Sequence, residues 1–269
     1  MASIRHKKSL GQHFLEDAAI LQAIVEGAGI GRQDAVLEIG PGSGNLSGYL
    51  AARAARLVAV EIDTALEPLL RQELGRYPQA EVVFGNFLTM ELKPLHERLG
   101  GGPFCVVANL PYYITTPILE RLFSSGLPIE SITVLIQKEA AQRLVCPPGS
   151  REYGPLTVAC ARWGSGGILF EVPPAAFTPP PKVDSAVVRL QRHSPDPFAG
   201  LDEALFGRIL RTAFSQRRKQ LKNALSGLGL PAGRLEAALS ELGIDGARRP
   251  ETLTVKEFAA LAGQLKGQA

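Results

Sequence analysis

Up to residue 190 the apolar positions of this chain alternate between two rhythms; beyond residue 200 only one remains. Ala18, Ile20, Leu21, Ile24, Val25 and Ala28 recur at helical spacing, so one stripe of a helix faces a core. The block Ala35-Val-Leu-Glu-Ile39 is short, continuous and runs into glycines, which reads as a buried strand. Leu57–Glu61, Glu81–Phe84, Phe104–Ala108 and Ser131–Ile136 repeat that pattern with helical stretches between them. Asp63 caps the helix after the second strand, and Thr116-Pro117 supplies an N-cap and a first-turn proline for a later one. Near-continuous apolar strands alternating with helices predict an α/β fold, a mostly parallel sheet with helices on both faces. After Pro155 a helix leads to a strand at Ile168–Val172, and Ser185–Leu190 closes the set. These last two are expected to pair as an antiparallel arm at the sheet edge, joined by the proline-rich segment 173–181.

The polar, proline-broken stretch Gln191-Arg-His-Ser-Pro-Asp-Pro197 marks a boundary. Beyond it the periodicity is helical only, with helices expected near 202–214, 217–226, 231–242 and 254–265. The expected organisation is one domain over 1–192, with 1–15 as a basic N-terminal arm, and a small all-helical domain over 198–269.

Composition narrows the class. The chain has 269 residues, 45% apolar and 20% charged, which excludes wholesale disorder and fibrous architecture. No apolar run approaches the ~20 residues of a membrane-spanning helix. The N-terminus has no apolar core behind its charges, so no secretory signal is expected and the location is expected to be cytoplasmic. Cys105, Cys146 and Cys160 form no C-x-x-C pair, so neither a zinc site nor any other metal is expected, and they read as thiols in a reducing compartment. Charge is distributed unevenly. Residues 1–13 carry Arg5, Lys7 and Lys8 without an acid, and residues 201–269 carry 11 Lys+Arg against 7 Asp+Glu. A basic arm and a basic tail around an acidic middle suit a polyanion gripped from two sides.

The chemistry begins at Glu38-Ile-Gly-Pro-Gly-Ser-Gly44, where a strand hands over to a helix. Gly40 and Gly42 let backbone approach a ligand closely. In an open parallel sheet the ligand sits beyond the carboxyl ends of the strands, and Glu61, at the end of the next strand, is placed to reach ribose hydroxyls. Asn45 stands where a pyrophosphate-binding G-x-G-x-x-G loop needs its third glycine, which favours a nucleoside without phosphates over a dinucleotide. At the end of the third strand Asn86 offers hydrogen bonds to an adenine edge and Phe87 a surface for its face.

The most specific signal is Asn109-Leu-Pro-Tyr112. An adenine amino group is a poor nucleophile because its lone pair is delocalised into the ring. The Asn109 amide oxygen and the Leu110 carbonyl can accept its two hydrogens, which localises the lone pair. Pro111 fixes the backbone so that this carbonyl faces outward, and Tyr112 stacks on the extruded base. No general base is required.

These motifs, with Lys8-Ser-Leu-Gly-Gln-His-Phe-Leu15, Gln137-Lys-Glu-Ala140, Phe177-Thr-Pro-Pro-Pro-Lys-Val-Asp184 and Phe214-Ser-Gln-Arg-Arg-Lys219, span nearly the whole chain. In them the chain resembles the KsgA family of small-subunit ribosomal-RNA adenine N6-dimethyltransferases. The resemblance implies a Rossmann-like methyltransferase sheet, S-adenosylmethionine as cofactor, and dimethylation of loop adenosines in small-subunit ribosomal RNA within a 30S-type particle, by a monomer. It implies that His13 and Leu15 cover the cofactor, Gly40 lines its methionine end, Glu61 binds the ribose, residue 86 reads its adenine, and Ile62 and Asn109 also belong to the cofactor site. Phe177 would face Tyr112 across the target base. Arg217, Arg218, Lys219 and Lys222, within two turns of an expected helix, would track RNA phosphates.

The family usually has Asp at residue 86 and Asn at residue 13, where this chain has Asn86 and His13. A DNA adenine methyltransferase, the large-subunit antibiotic-resistance branch and a non-catalytic assembly or transcription factor of the same fold are the alternatives. Leu110, the Leu10-Gly-Gln arm and the Arg217–Lys219 cluster lean away from the first two.

Overall fold

The computed structural model describes residues 13–267; the basic residues Arg5, Lys7 and Lys8 of the expected arm lie outside them. The strands are β1 (Phe14–Leu15), β2 (Ala35–Ile39), β3 (Arg56–Glu61), β4 (Ala80–Phe84), β5 (Phe104–Asn109), β6 (Ile129–Gln137), β7 (Gly164–Val172), β8 (Phe177–Thr178) and β9 (Ser185–Arg192). The helices of the first half are α1 (Ala18–Ala28), α2 (Asn45–Ala51), α3 (Glu67–Leu74), α4 (Leu92–Arg98), α5 (Thr115–Ser124) and α6 (Lys138–Val145). Then come α7 (Pro155–Trp163), α8 (Glu203–Ser215), α9 (Leu221–Ala224), α10 (Arg234–Glu241) and α11 (Val255–Leu265).

Seven strands form one sheet in the order β4-β3-β2-β5-β6-β9-β7. The β2, β3, β4, β5 and β6 pairings are all parallel, and β9 runs antiparallel to β6. Val36, Leu57, Val106, Val107, Ile132 and Val187 are fully buried, as strands covered on both faces require. The chain leaves β2 for β3 and β4 on one side and later for β5 and β6 on the other. The topological switch point therefore lies between the carboxyl ends of β2 and β5, where ligands bind in open α/β sheets. The expected edge arm takes the form of β9 beside an outermost β7. The Asp63 carboxylate accepts from the Ala65 N–H, as a cap should. At α5 the helix starts at Thr115, whose hydroxyl bonds the Pro111 carbonyl, and not after Thr116.

Two compact units divide the chain differently from the expected boundary. One comprises the residues up to Ala141 together with Ser165–Arg192; the other is Gln142–Gly164 with His193–Ala269. The break after Arg192 is where the polar stretch indicated. Residues 142–164, expected in the first domain, instead pack in the helical unit. Tyr153 and the fully buried Val158 share its core with Phe206, Ile209, Leu221, Leu239, Phe258 and Leu261.

A second correction concerns the expected helix at 217–226. Helix α8 ends at Ser215, Gln216 has left the helical region (φ −124°, ψ 41°), and residues 216–220 form a turn before the single turn of α9. The cause is tertiary. The Arg217 guanidinium donates to the carbonyls of Ser150 and Arg151, and the N–H groups of Leu221 and Lys222 go to the carbonyls of Arg248 and Gly246. Long-range partners take the two N–H groups out of a local helical ladder, and the guanidinium pins the turn.

Candidate active site

A cavity opens at the switch point, with about 1070 Å³ of empty space out to its open mouth. Its walls come from the carboxyl ends of β2, β3, β4 and β5 and from the strap His13–Leu15. His13, Leu15, Gly40, Gly42, Glu61, Ile62, Asn86, Phe87, Asn109, Leu110, Pro111 and Tyr112 all line it. Twelve of the thirteen residues expected at the cofactor and target base thus meet in one place; Phe177 does not.

The glycine loop is shaped for close approach. Gly40 and Gly42 adopt φ of 70° and 58°, where a side chain would be strained. A Cβ on Gly42 would also lie 2.9 Å from the Phe14 ring. Glu61 is only 4% exposed. One of its carboxylate oxygens accepts from the Gly42 N–H (3.0 Å), the other from the Asp63 N–H (2.8 Å). Burial pushes its pKa up, and these backbone donors oppose the shift.

Glu38, not singled out individually from the sequence, is 1% exposed and lines the same cavity. Its Oε2 finds no hydrogen-bond partner among the described residues. Burial, with Glu61 adding repulsion, pushes its carboxyl up to about 8. Among the described residues no lysine or arginine lines the cavity. The Glu61 carboxylate, with the Glu38 carboxyl held protonated behind it and no fixed cation in the described wall, suits a ribose diol and does not suit a pyrophosphate.

Asn86 closes an Asx turn, its Oδ1 accepting from the Leu88 N–H at 2.9 Å. One lone pair of that oxygen and the amide nitrogen remain for a ligand. Phe87 is 5% exposed. Arg121 of α5 holds this loop from behind: its guanidinium bonds the carbonyls of Leu88 and Met90 and lies 5.7 Å from the Phe87 ring centroid. Only the long-range fold reveals that role.

Asn109 ends β5. A Cβ at Gly40 would lie 3.9 Å from its carbonyl oxygen, so the glycine loop and the Asn-Leu-Pro-Tyr motif face each other. The Leu110 N–H continues the ladder to Leu135 at 3.1 Å, and its side chain is buried. The hydroxyl groups of Tyr112 and Ser185 share a hydrogen bond of 2.6 Å, and burial raises the Tyr112 phenol. The His13 ring stacks on Tyr112 at 5.8 Å between centroids.

The strap is tied down by side chains. Asn45 donates to the Leu15 carbonyl (2.8 Å), and the His13 Nδ1 lies 2.7 Å from the Pro179 carbonyl. Strand β1 pairs antiparallel with β8, putting Leu15 opposite Phe177. Phe177 is therefore 4% exposed in the core beneath the strap, away from the cavity wall, and His13 is the ring beside Tyr112.

The cationic cluster belongs to the helical unit. Arg217 is half-buried and committed to two carbonyls, whereas Arg218, Lys219 and Lys222 are exposed.

Comparison with known proteins fits this geometry. Residues 3–266 match the family model described as ribosomal RNA adenine dimethylase. The chain belongs to this family. Within it, the chain is 42% identical to the ribosomal RNA small subunit methyltransferase A of Alkaliphilus oremlandii over 264 residues, 97% of this chain and 92% of that one. Identity to the protein of the same name from Geobacillus thermodenitrificans is 44% over 266 residues, covering 96% and 90%. Among solved structures, a dimethyladenosine transferase from Plasmodium falciparum superposes with a TM-score of 0.81 at 25% identity, covering 94% of this chain and 97% of that one. The 23S rRNA methyltransferase ErmE gives 0.70 at 31%, covering 94% and 99%. As a ribosomal RNA adenine dimethylase the chain is an enzyme of methyl transfer, and the family calls for a methyl donor. Glu61 and the glycine loop, with no lysine or arginine lining the cavity among the described residues, fit a nucleoside donor without phosphates.

Proposed function

We propose that this protein transfers methyl groups from S-adenosylmethionine to N6 of adenosines in a loop of small-subunit ribosomal RNA, giving dimethyladenosine. It acts as a cytoplasmic monomer on a 30S-type particle during assembly. The observation that carries the reading is the Asn109 amide. Its nitrogen is spent on the strap, at 3.3 Å from the His13 carbonyl, so its oxygen is the end left for a substrate amino group. It stands beside the glycine loop at the switch point. The small-subunit assignment rests on 42–44% identity to relatives of that name, against 31% to ErmE.

The cofactor, when bound, supplies an electrophilic methyl on a positively charged sulfur. Glu61 holds the ribose, Asn86 and Phe87 the adenine, and the Gly40–Gly42 backbone the methionine end, under the strap. Asn109 and Leu110 accept from the target amino group and aim its lone pair; Tyr112 carries the face of the base. The chain's contribution is to position two reactants and exclude water.

Tritiated methyl transfer to purified ribosomal subunits tests this. Label in small subunits, recovered as dimethyladenosine, is the expected result. Label confined to large subunits would move the enzyme to the other branch, and cofactor binding without transfer to either would make it a non-catalytic factor.

A further inference from the structure

Among the described residues the exposed large apolar side chains are Ile62, Tyr113, Leu169 and Val183. Two of them, Ile62 and Tyr113, line the mouth of the same cavity. Ile62 follows Glu61 on the cofactor side. Tyr113 follows Tyr112 on the single 3₁₀ turn Tyr112–Ile114, and the function proposed above gives it no role.

The two tyrosines are in opposite situations. Tyr112 has its hydroxyl bonded to Ser185 and its ring against His13. Tyr113 leaves 57% of its surface in solvent. Successive residues of a 3₁₀ helix point about 120° apart, so the two rings cannot serve one base. An adenine drawn out of an RNA strand leaves the neighbouring base without a stacking partner. An aromatic ring beside the extrusion slot replaces that partner, whatever the base, because every base has a π-face.

We propose that Tyr113 is a second stacking platform, taking the bared face of the nucleotide base adjacent to the target adenine. The proposal rests on the rRNA reading above. It makes Tyr113 a specificity determinant: the substrate needs an unpaired, intact neighbour and not only an accessible adenine.

The test uses small subunits reconstituted on ribosomal RNA that carries an abasic nucleotide on one side or the other of the mapped target adenosine. Single-turnover methylation is measured with wild type, Tyr113→Phe and Tyr113→Ala, and cofactor affinity by calorimetry. On intact RNA, Tyr113→Phe should stay within about twofold of wild type and Tyr113→Ala should fall about tenfold or more, the range of base–aromatic stacking. With the abasic nucleotide on the contacted side, wild type should fall by the same factor and Tyr113→Ala should lose nothing further. Full activity of Tyr113→Ala on intact RNA, or the same loss on intact RNA and on both abasic RNAs, overturns the proposal. So does a parallel loss of cofactor affinity, which would assign Tyr113 to the cofactor. Wild type that methylates no small subunit at all would instead overturn the rRNA reading.

Discussion

The side-chain nitrogen of Asn109 donates to the backbone carbonyl of His13, 96 residues earlier in the chain. That bond fixes the orientation of the amide, and in the proposed mechanism it joins the strap to the group that accepts from the substrate amino group. Asn109→Ala should lower turnover by at least ~10², the scale for losing one preorganised polar group in a transition state. Asn109→Asp should do no better, since a carboxylate oxygen would face the His13 carbonyl. RNA affinity should be unchanged. Single-turnover kinetics with saturating RNA decide the matter; near-normal turnover of Asn109→Ala would remove the lone-pair mechanism.

Asn45 anchors the same strap from the glycine-loop side. Asn45→Ala removes a neutral hydrogen bond worth about 1 kcal/mol, so cofactor affinity should fall roughly fivefold. Calorimetric titration measures it, and unchanged affinity would mean that the strap stays closed without this tie.

Glu61 both organises the loop and faces the cavity. Glu61→Ala should weaken S-adenosylmethionine by about 2–3 kcal/mol, the scale of charged hydrogen bonds. Asn86→Asp should bind as well or better, because a carboxylate keeps the Leu88 N–H and remains a strong acceptor. A clear loss in Asn86→Asp would show that the amide nitrogen is the reading group.

Glu38 carries a pH signature. Its carboxyl is raised from 4.5 to about 8 in the fold, so between those values the native state holds a proton that the unfolded chain has released. Its contribution to stability is therefore fully present below 4.5, declines as pH rises, and levels off above about 8. Glu38→Gln should gain on wild type across that window by up to about 1.4 kcal/mol per pH unit. Urea denaturation of both proteins at pH 5, 6.5 and 8 reads the difference; parallel curves would show that Glu38 is ionised throughout.

In the helical unit Arg217 and its neighbours separate by exposure. Arg218→Glu with Lys219→Glu should weaken binding to small subunits and reduce the salt slope by roughly one unit for each lost phosphate contact. Arg217→Ala should instead lower thermal stability, since it releases the carbonyls of Ser150 and Arg151. Coincident salt series for wild type and the double variant would leave the surface without an RNA role.

The glycine loop, Glu61 and the Asn109 motif were legible because their roles are local: positive φ, the end of a strand, a fixed spacing. The inner strands of the sheet were legible because strands buried on both faces are apolar without interruption. Arg217 misled for the opposite reason. Helical spacing across 217–226 is real, yet carbonyls of residues 246 and 248 take the N–H groups a helix would use, and those of residues 150 and 151 tie down the Arg217 side chain. Phe177 was assigned from its motif, and its pairing with Leu15 lies 162 residues away in sequence. Ser185, Arg121 and Asn45 act through partners that no periodicity announces.

Because residues 142–164 are spliced into a core otherwise built from residues after 193, the order of synthesis works against the helical unit. Tyr153 and Val158 leave the ribosome exit tunnel well before Phe206, Leu239 or Phe258 exist to shelter them. A fragment stopped at Arg192 would carry α7 with no core of its own, and one begun at His193 would lack part of its filling. Three cuts, after Ala141, Gly164 and Arg192, with one bridge from Ala141 to Ser165 and another from Gly164 to His193, are what it takes to dissect this enzyme into its folding pieces.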